Sequence, residues 1–161
     1  MIKDIKHQTP KRKYPRLKDK SIYSQPGITA HIIIGTFQKQ PYFNDTELAQ
    51  KFLEVLVETA KENNTRIYAY CIMPDHIHIL IESSKNMSII SFIKHVKGRF
   101  VSWCRENDKN IRFQRSFYDH ILRKEEDVYT ISRYIIGNPI RAGIEDHFGD
   151  YLFAGSLVFE F

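Results

Sequence analysis

Apolar and polar residues alternate along several stretches of the chain with the two-residue period of β-strands. The pattern predicts strands at residues 28–37, 66–73 and 76–82, the last two joined by a tight proline-aspartate turn. A fourth strand is predicted at residues 113–122. Polar residues separate these stretches, so each strand is expected to be short and bounded by loops.

Three other segments have apolar residues three and four positions apart, as on one face of a helix. They cover residues 45–63, 87–107 and 125–137. The third segment starts with acidic residues, which the positive end of a helix dipole favours.

The predicted elements follow one another as β-α-β-β-α-β-α. The first six match the split β-α-β, or ferredoxin-like, plan, in which two helices cover one face of an antiparallel sheet. We therefore expect an α+β fold with an additional helix at its C-terminal end. The second face of the sheet is expected to be free to carry a functional site.

The composition fits one globular domain. The 161 residues are 42% hydrophobic and include 11 Phe and nine Tyr, which is enough to form a core. No apolar run approaches the ~18 residues that a membrane span requires, and the N-terminus lacks a signal-peptide pattern. The two cysteines, Cys71 and Cys104, are too few for a disulfide framework. We expect a cytoplasmic protein with buried free thiols.

Positive charge is concentrated at the N-terminus. Eight Lys and Arg against two Asp give the first 20 residues a charge of +6, whereas the whole chain carries +5. We therefore divide the chain into a basic arm, residues 1–27, and a globular domain, residues 28–161. Lys11, Arg12 and Lys13 are candidate contacts to DNA phosphates, because basic arms bind nucleic acid by releasing counterions. A solvated tail without a ligand is the alternative.

The most informative strand carries two histidines. His76 and His78 lie two residues apart and so point to the same face, whereas Ile77, Ile79 and Ile81 point to the other. Two imidazoles on one face can bind one metal ion or a phosphate group. From spacing alone, an ordinary half-exposed pair is the more common explanation of two such histidines.

Several ordered segments share their residues with a known family. The matching segments are His31-Ile32, residues 38–43, Met73-Pro74-Asp75-His76-Ile77-His78, residues 94–100, Phe113-Gln114, Phe117-Tyr118-Asp119-His120 and residues 133–143. In these segments the chain resembles the single-tyrosine HUH transposases of the insertion-sequence-200-like group, and most of all the REP-associated tyrosine transposases.

The resemblance implies a site and a reaction. In the family, the two histidines bind a divalent metal, and a tyrosine on a later helix attacks DNA to form a 5′-phosphotyrosine. The motif match places these roles at His76, His78 and Tyr134, with Asn138 as a third metal ligand. The implied cofactor is Mg²⁺ or Mn²⁺, of which Mn²⁺ suits imidazole better. Tyr118 and Tyr129 are rival nucleophiles, but neither has an amide residue one helical turn later.

The implied partner is single-stranded or hairpin DNA, such as a palindromic repeat. Lys94, Lys97 and Arg105 could form a basic helix face for phosphates, and His120 could line the DNA path. A solvated helix face and a packed histidine are the alternatives. The resemblance is compatible with a homodimer and with a monomer.

Two other functions remain open at this point. The first is a non-catalytic module that binds single-stranded nucleic acid, because ferredoxin-like sheets also serve in RNA-recognition domains. The second is a phosphohydrolase that uses a metal-bound water. Only the strand-transferase requires a nucleophilic tyrosine near the histidine pair.

Overall fold

The computed structural model describes residues 20–161. Its strands and helices are β1 (Thr29–Gly35), α1 (Thr46–Glu62), β2 (Arg66–Ile72), β3 (His76–Glu82), α2 (Ile89–Glu106), β4 (Tyr118–Ile121), α3 (Val128–Ile136), α4 (Asn138–Arg141) and β5 (Ala154–Gly155). Short 3₁₀ turns lie at Lys20–Ser24, Phe37–Lys39 and Tyr42–Asn44.

The strands form one antiparallel sheet in the order β4-β1-β3-β2-β5. The strands β1 and β2, which α1 connects, are separated in the sheet by β3. The strands β3 and β4, which α2 connects, are separated in the same way by β1. The α+β class and the antiparallel sheet predicted from the sequence are confirmed.

One face of the sheet packs against α1 and α2, as predicted. Ile32 and Ile34 of β1 are fully buried there, together with Ile77, Ile79 and Ile81 of β3. Aromatic rings in mutual contact fill the space between the sheet and the helices: Phe43, Phe52, Phe100 and Phe113. This core leaves the histidines of β3 on the opposite face.

The second face is partly covered, which corrects the expectation that it is free. Leu80 shares this face with the histidines and is fully buried against Ile135 and Ile136 of α3. The C-terminal segment adds Tyr151, whose hydroxyl donates to the Ile72 carbonyl at 2.7 Å, and β5 extends the sheet beside β2. The apolar Leu80 needs such a cover, and the face stays open beside His76.

The fourth strand is shorter than predicted. The strand β4 covers Tyr118–Ile121, and Phe113 forms only an isolated bridge with Thr36. Between them, Arg115 and Ser116 are exposed and have no apolar side chain to bury against a helix. The chain therefore leaves the sheet in the middle of the segment predicted as a strand, residues 113–122.

The third helix begins later than predicted, at Val128. The Asp127 carboxylate accepts a hydrogen bond from the Thr130 backbone N–H at 2.8 Å and so caps the helix. The carboxylate of Glu126, predicted to lie in the first turn, instead accepts a hydrogen bond from the Arg123 backbone N–H at 2.6 Å.

The predicted arm overlaps the packed domain. Tyr23 is 2% exposed, lies in the core and donates its hydroxyl to the Asp119 carboxylate. The packed part therefore begins upstream of the predicted boundary at Ile28. In the described part of the chain, none of the helices is long and apolar enough to cross a membrane. The candidate arm residues Lys11, Arg12 and Lys13 lie outside the described residues.

Candidate active site

A cleft of about 430 Å³ opens on the second face of the sheet, beside the start of β3 and the junction of α3 and α4. It brings together the four residues of the predicted site: His76, His78, Tyr134 and Asn138. Residues from β1, from β4, from the loops and from α4 complete its wall: Ile33, Gly35, Lys39, Met73, Asp75, Gln114, Tyr118, Arg141 and Ala142.

The two imidazoles of β3 lie side by side. Their ring centres are 4.9 Å apart, with the ring planes at 74° to each other. His76 Nδ1 lies 2.6 Å from Asp75 Oδ1, so a proton on Nδ1 donates to the carboxylate. Nε2 then carries the lone pair of the ring, which is the form in which histidine binds a metal.

His78 is held by a third histidine. Its Nδ1 lies 3.0 Å from Nε2 of His31 on the neighbouring strand β1, and the two rings are stacked with centres 5.2 Å apart. Burial, with the charge of His31 second, lowers the pKa of His78 well below its usual range. Burial, followed by the charge of His120, lowers the pKa of His31 to about 4. Both imidazoles are therefore neutral at physiological pH, as metal binding requires.

Tyr134 and Asn138 reach the cleft from two successive helices. Tyr134, near the end of α3, is 58% exposed. To continue the helix, a backbone N–H at position 139 would have to donate to the Ile135 carbonyl, but Pro139 has no N–H. The Asn138 side chain replaces it, because Nδ2 donates to that carbonyl at 2.9 Å. The helix predicted at residues 125–137 thus ends at Ile136, and Asn138 begins α4, yet the tyrosine and the amide still line one cleft.

The predicted basic helix face lies elsewhere. Lys94 and Arg105 are exposed on α2, on the other side of the sheet from the cleft. Lys97 donates to the Gln114 carbonyl at 3.1 Å and lies over the Phe113 ring. These side chains do not line the cleft.

His120 lies behind the histidine pair rather than in the cleft. It is the cross-strand neighbour of His31, and its Nε2 is 2.9 Å from a carboxylate oxygen of Glu126. This geometry agrees with the alternative left open by the sequence, a packed and hydrogen-bonded histidine.

Sequence reasoning assigned no role to several polar residues of the cleft, among them Lys39, Gln114 and Arg141. Gln38 and Lys39 both have left-handed backbone angles, with φ of 52° and 54°. Such angles are uncommon outside glycine and are known at functional sites. The Gln114 side chain lies across Gly35, where an added Cβ would be 2.7 Å from its Cδ. All three residues lie in segments that match the family, so the resemblance could have pointed to them.

The donor set fits a divalent cation. The cleft offers two imidazoles and one carboxamide oxygen, all of which are common ligands of first-row metals. Within residues 20–161, no three His, Cys, Asp or Glu side chains converge in a way that could hold a metal.

Comparison with known proteins gives a consistent result. A family model described as transposase IS200-like matches residues 24–138. A Haemophilus influenzae protein named as a REP-associated tyrosine transposase is 28% identical over 110 residues, which are 61% of this chain and 62% of that relative. The ISDra2 transposase TnpA of Deinococcus radiodurans is 31% identical over 52 residues, which are 32% of this chain and 37% of that relative. The match thus spans about three fifths of the first curated relative.

Solved structures share the fold. A REP-associated tyrosine transposase bound to a REP hairpin superposes with a TM-score of 0.69 at 21% identity, over 88% of this chain and 80% of that chain. A Deinococcus radiodurans protein described as a transposase superposes with a TM-score of 0.51 at 21% identity, over 80% of this chain and 95% of that one.

Proposed function

The chain belongs to the IS200-like transposase family, and from this premise we propose that it cleaves and rejoins DNA strands with Tyr134 as the nucleophile. The observation that carries the proposal is the convergence of Tyr134 and Asn138 on the His76–His78 pair in one cleft. The nucleic-acid-binding module considered above would not need these four residues together.

The proposed reaction is a phosphodiester exchange. The phenol oxygen of Tyr134 attacks a DNA phosphorus, and the bond from phosphorus to the 3′-oxygen breaks. The phenol loses a proton and the leaving 3′-oxygen gains one, so no water is consumed. The product is a 5′-phosphotyrosine, which keeps the ester bond available for rejoining. The exposure of Tyr134 supports this role, because a DNA strand can reach its hydroxyl.

His76, His78 and Asn138 would hold the divalent cation, Mg²⁺ or Mn²⁺. The cation would supply Lewis-acid polarisation of a non-bridging phosphate oxygen. The two nitrogen donors favour Mn²⁺ over Mg²⁺. Asp75 and His31 orient the two imidazoles toward the cleft through the hydrogen bonds described above.

Single-stranded or hairpin DNA, such as a palindromic repeat, is the proposed substrate. The basic sequence of residues 1–20 supports DNA binding. The structural relative bound to a REP hairpin also supports a hairpin ligand. The free, buried thiols of Cys71 and Cys104 are consistent with the proposed cytoplasmic location.

The active site is proposed to be completed within one chain. His76, His78, Tyr134 and Asn138 of the same chain line the same cleft, so catalysis does not require a residue from a second copy. A homodimer would then join two complete sites rather than exchange their tyrosines.

The test is formation of a covalent protein–DNA adduct. The wild-type protein, Tyr134→Phe and the control Tyr129→Phe are incubated with Mn²⁺ and 3′-labelled hairpins that carry randomised single-stranded flanks. We expect a denaturant-resistant labelled adduct with the wild type and the control, and none with Tyr134→Phe. Tyr129 suits the control because it lies on the same helix but contacts Phe159 and Phe161 instead of the cleft.

Two results would contradict the proposal. Absence of an adduct with the wild type across the library would favour a binding module. Release of cut DNA by Tyr134→Phe at the wild-type rate would favour a phosphohydrolase that uses water as the nucleophile.

A further inference from the structure

Arg141 lies between the proposed nucleophile and the proposed amide ligand. Its Nη2 donates to Asn138 Oδ1 at 2.9 Å and also to the backbone carbonyl of Tyr134. Its guanidinium carbon is 3.8 Å from the centre of the Tyr134 ring. One cationic side chain therefore contacts both residues that α3 and α4 bring to the cleft.

The local backbone is shaped to admit this guanidinium. Gly137 is buried, and an added Cβ there would be 3.1 Å from Arg141 Nη1 and 3.3 Å from the Arg133 carbonyl. The Asn138 amide is also fixed, because its Nδ2 donates to the Ile135 carbonyl and its Oδ1 is left to accept. The contact between Arg141 and Asn138 is thus favoured by the absence of a Cβ at Gly137 and by the fixed orientation of the Asn138 amide.

The charge of Arg141 acts within the cleft. Its side chain lines the cleft together with both histidines of β3. An arginine stays protonated at any physiological pH and presents a planar set of N–H donors that matches phosphate oxygens. A DNA phosphate placed for attack by Tyr134 would lie next to these donors.

We propose that Arg141 binds the scissile DNA phosphate and shares Asn138 Oδ1 with the metal. This inference rests on the proposed strand transfer. Without DNA, the guanidinium and a cation at His76 and His78 compete for the same carboxamide oxygen. When a phosphate takes up the guanidinium, Asn138 Oδ1 is released to the cation, so binding of DNA and binding of metal strengthen each other.

The proposal predicts opposite changes in two measurements on Arg141→Gln. The Mn²⁺ affinity of the DNA-free protein, measured by calorimetry, should rise by about threefold to tenfold, because a competing donor and a positive charge are removed. The rate of adduct formation at saturating Mn²⁺ should fall by about 10²- to 10³-fold, as for loss of one donor to a reacting phosphate or oxyanion.

Two further variants keep the test independent of folding. Arg133→Gln is the matched control, because Arg133 lies on α3 but stacks on Phe148, 4.8 Å from its ring centre, and should change neither measurement. Arg141→Lys retains the charge without the planar donors, so its adduct rate should lie between the wild type and Arg141→Gln. Recovery of rate by this variant would not be expected of a residue needed only for folding.

The outcomes separate this inference from the proposed function. An Arg141→Gln protein whose Mn²⁺ affinity does not rise, or whose adduct rate equals that of an active wild type, would overturn the role of Arg141 alone. A wild type that forms no adduct would overturn the phosphate-binding role together with the proposed function. Raised Mn²⁺ affinity with a reduced adduct rate would support the proposal.

Discussion

The Asp75 carboxylate fixes the orientation of His76, and its removal gives a measurable test of the proposed metal site. The bond from His76 Nδ1 to Asp75 Oδ1 is 2.6 Å, which is short and typical of a charged acceptor. The side chain can be changed without loss of the β2–β3 turn, because the backbone carbonyl of Asp75 accepts the hydrogen bonds from Thr36 N and Oγ1, both at 3.0 Å.

Loss of a carboxylate that orients a metal-binding histidine reduces metal affinity by about 10- to 100-fold, or about 1.4–2.7 kcal/mol. Asp75→Asn retains an acceptor oxygen without the charge, so we expect a loss near the lower end for Mn²⁺. Asp75→Ala removes the acceptor and should lie near the upper end.

Calorimetric titration with Mn²⁺ measures this change, with Asp150→Asn as the control. Asp150 is exposed and lies outside the cleft, so this variant removes the same charge at a distance from the histidines. Equal Mn²⁺ affinities for Asp75→Ala, Asp150→Asn and the wild type would refute the assignment of His76 as a ligand oriented by Asp75.

Three other predictions concern the core, the thiols and the arm. Leu80→Ala should lower the free energy of unfolding, measured in urea, by about 2–5 kcal/mol, because the buried Leu80 packs against α3. Leu152 is 81% exposed, so the control Leu152→Ala should change the free energy of unfolding by less than about 0.5 kcal/mol. Burial raises the pKa of Cys71 to about 12 and of Cys104 to about 11. Neither thiol should therefore react with iodoacetamide in the folded protein at pH 8. Equal labelling with and without urea would contradict this expectation. Since these thiols ionise more readily when unfolded, stability should decline as the pH rises above about 9. Removal of residues 1–19 should reduce the slope of log K for DNA binding against log salt concentration by about 0.7–0.9 for each phosphate that the arm neutralises. An unchanged slope would mean that the arm does not bind DNA.

Elements with a strong internal pattern could be predicted from the sequence. The strand predicted at residues 76–82 is observed as His76–Glu82, and the helix predicted at residues 87–107 is observed as Ile89–Glu106. In both, the period of the apolar residues reflects one continuous core that they bury. The same alternation correctly separates Ile77 from His78.

Elements that depend on distant partners could not be predicted. The strand β5 has two residues and exists only through its pairing with β2. The register of β2 shifts between Ile67 and Ala69. As a result, Ile67 packs in the core with α1 and α2, whereas Ala69 packs on the other face with α3. Neither the bulge nor the C-terminal cover over Leu80 leaves a periodic signal in the sequence.

The candidate site was predictable in part for a similar reason. Two histidines on one face follow from strand geometry, and the family resemblance supplied Tyr134 and Asn138. The position of Arg141 depends on the helix break at Pro139 and on the absence of a Cβ at Gly137, which are properties of the folded backbone. A sequence pattern does not show that a side chain turns back over the preceding helix.

Peptide mapping of the adduct determines whether Tyr134 is the residue that becomes covalently joined to DNA. The purified wild-type adduct is treated with nuclease and protease, and the remaining phosphonucleotide is located by mass spectrometry. We predict that it lies on the peptide that contains Tyr134. A phosphonucleotide on Tyr118, the other tyrosine that lines the cleft, would contradict the assignment of the nucleophile, and cut DNA without any modified tyrosine would contradict the reaction.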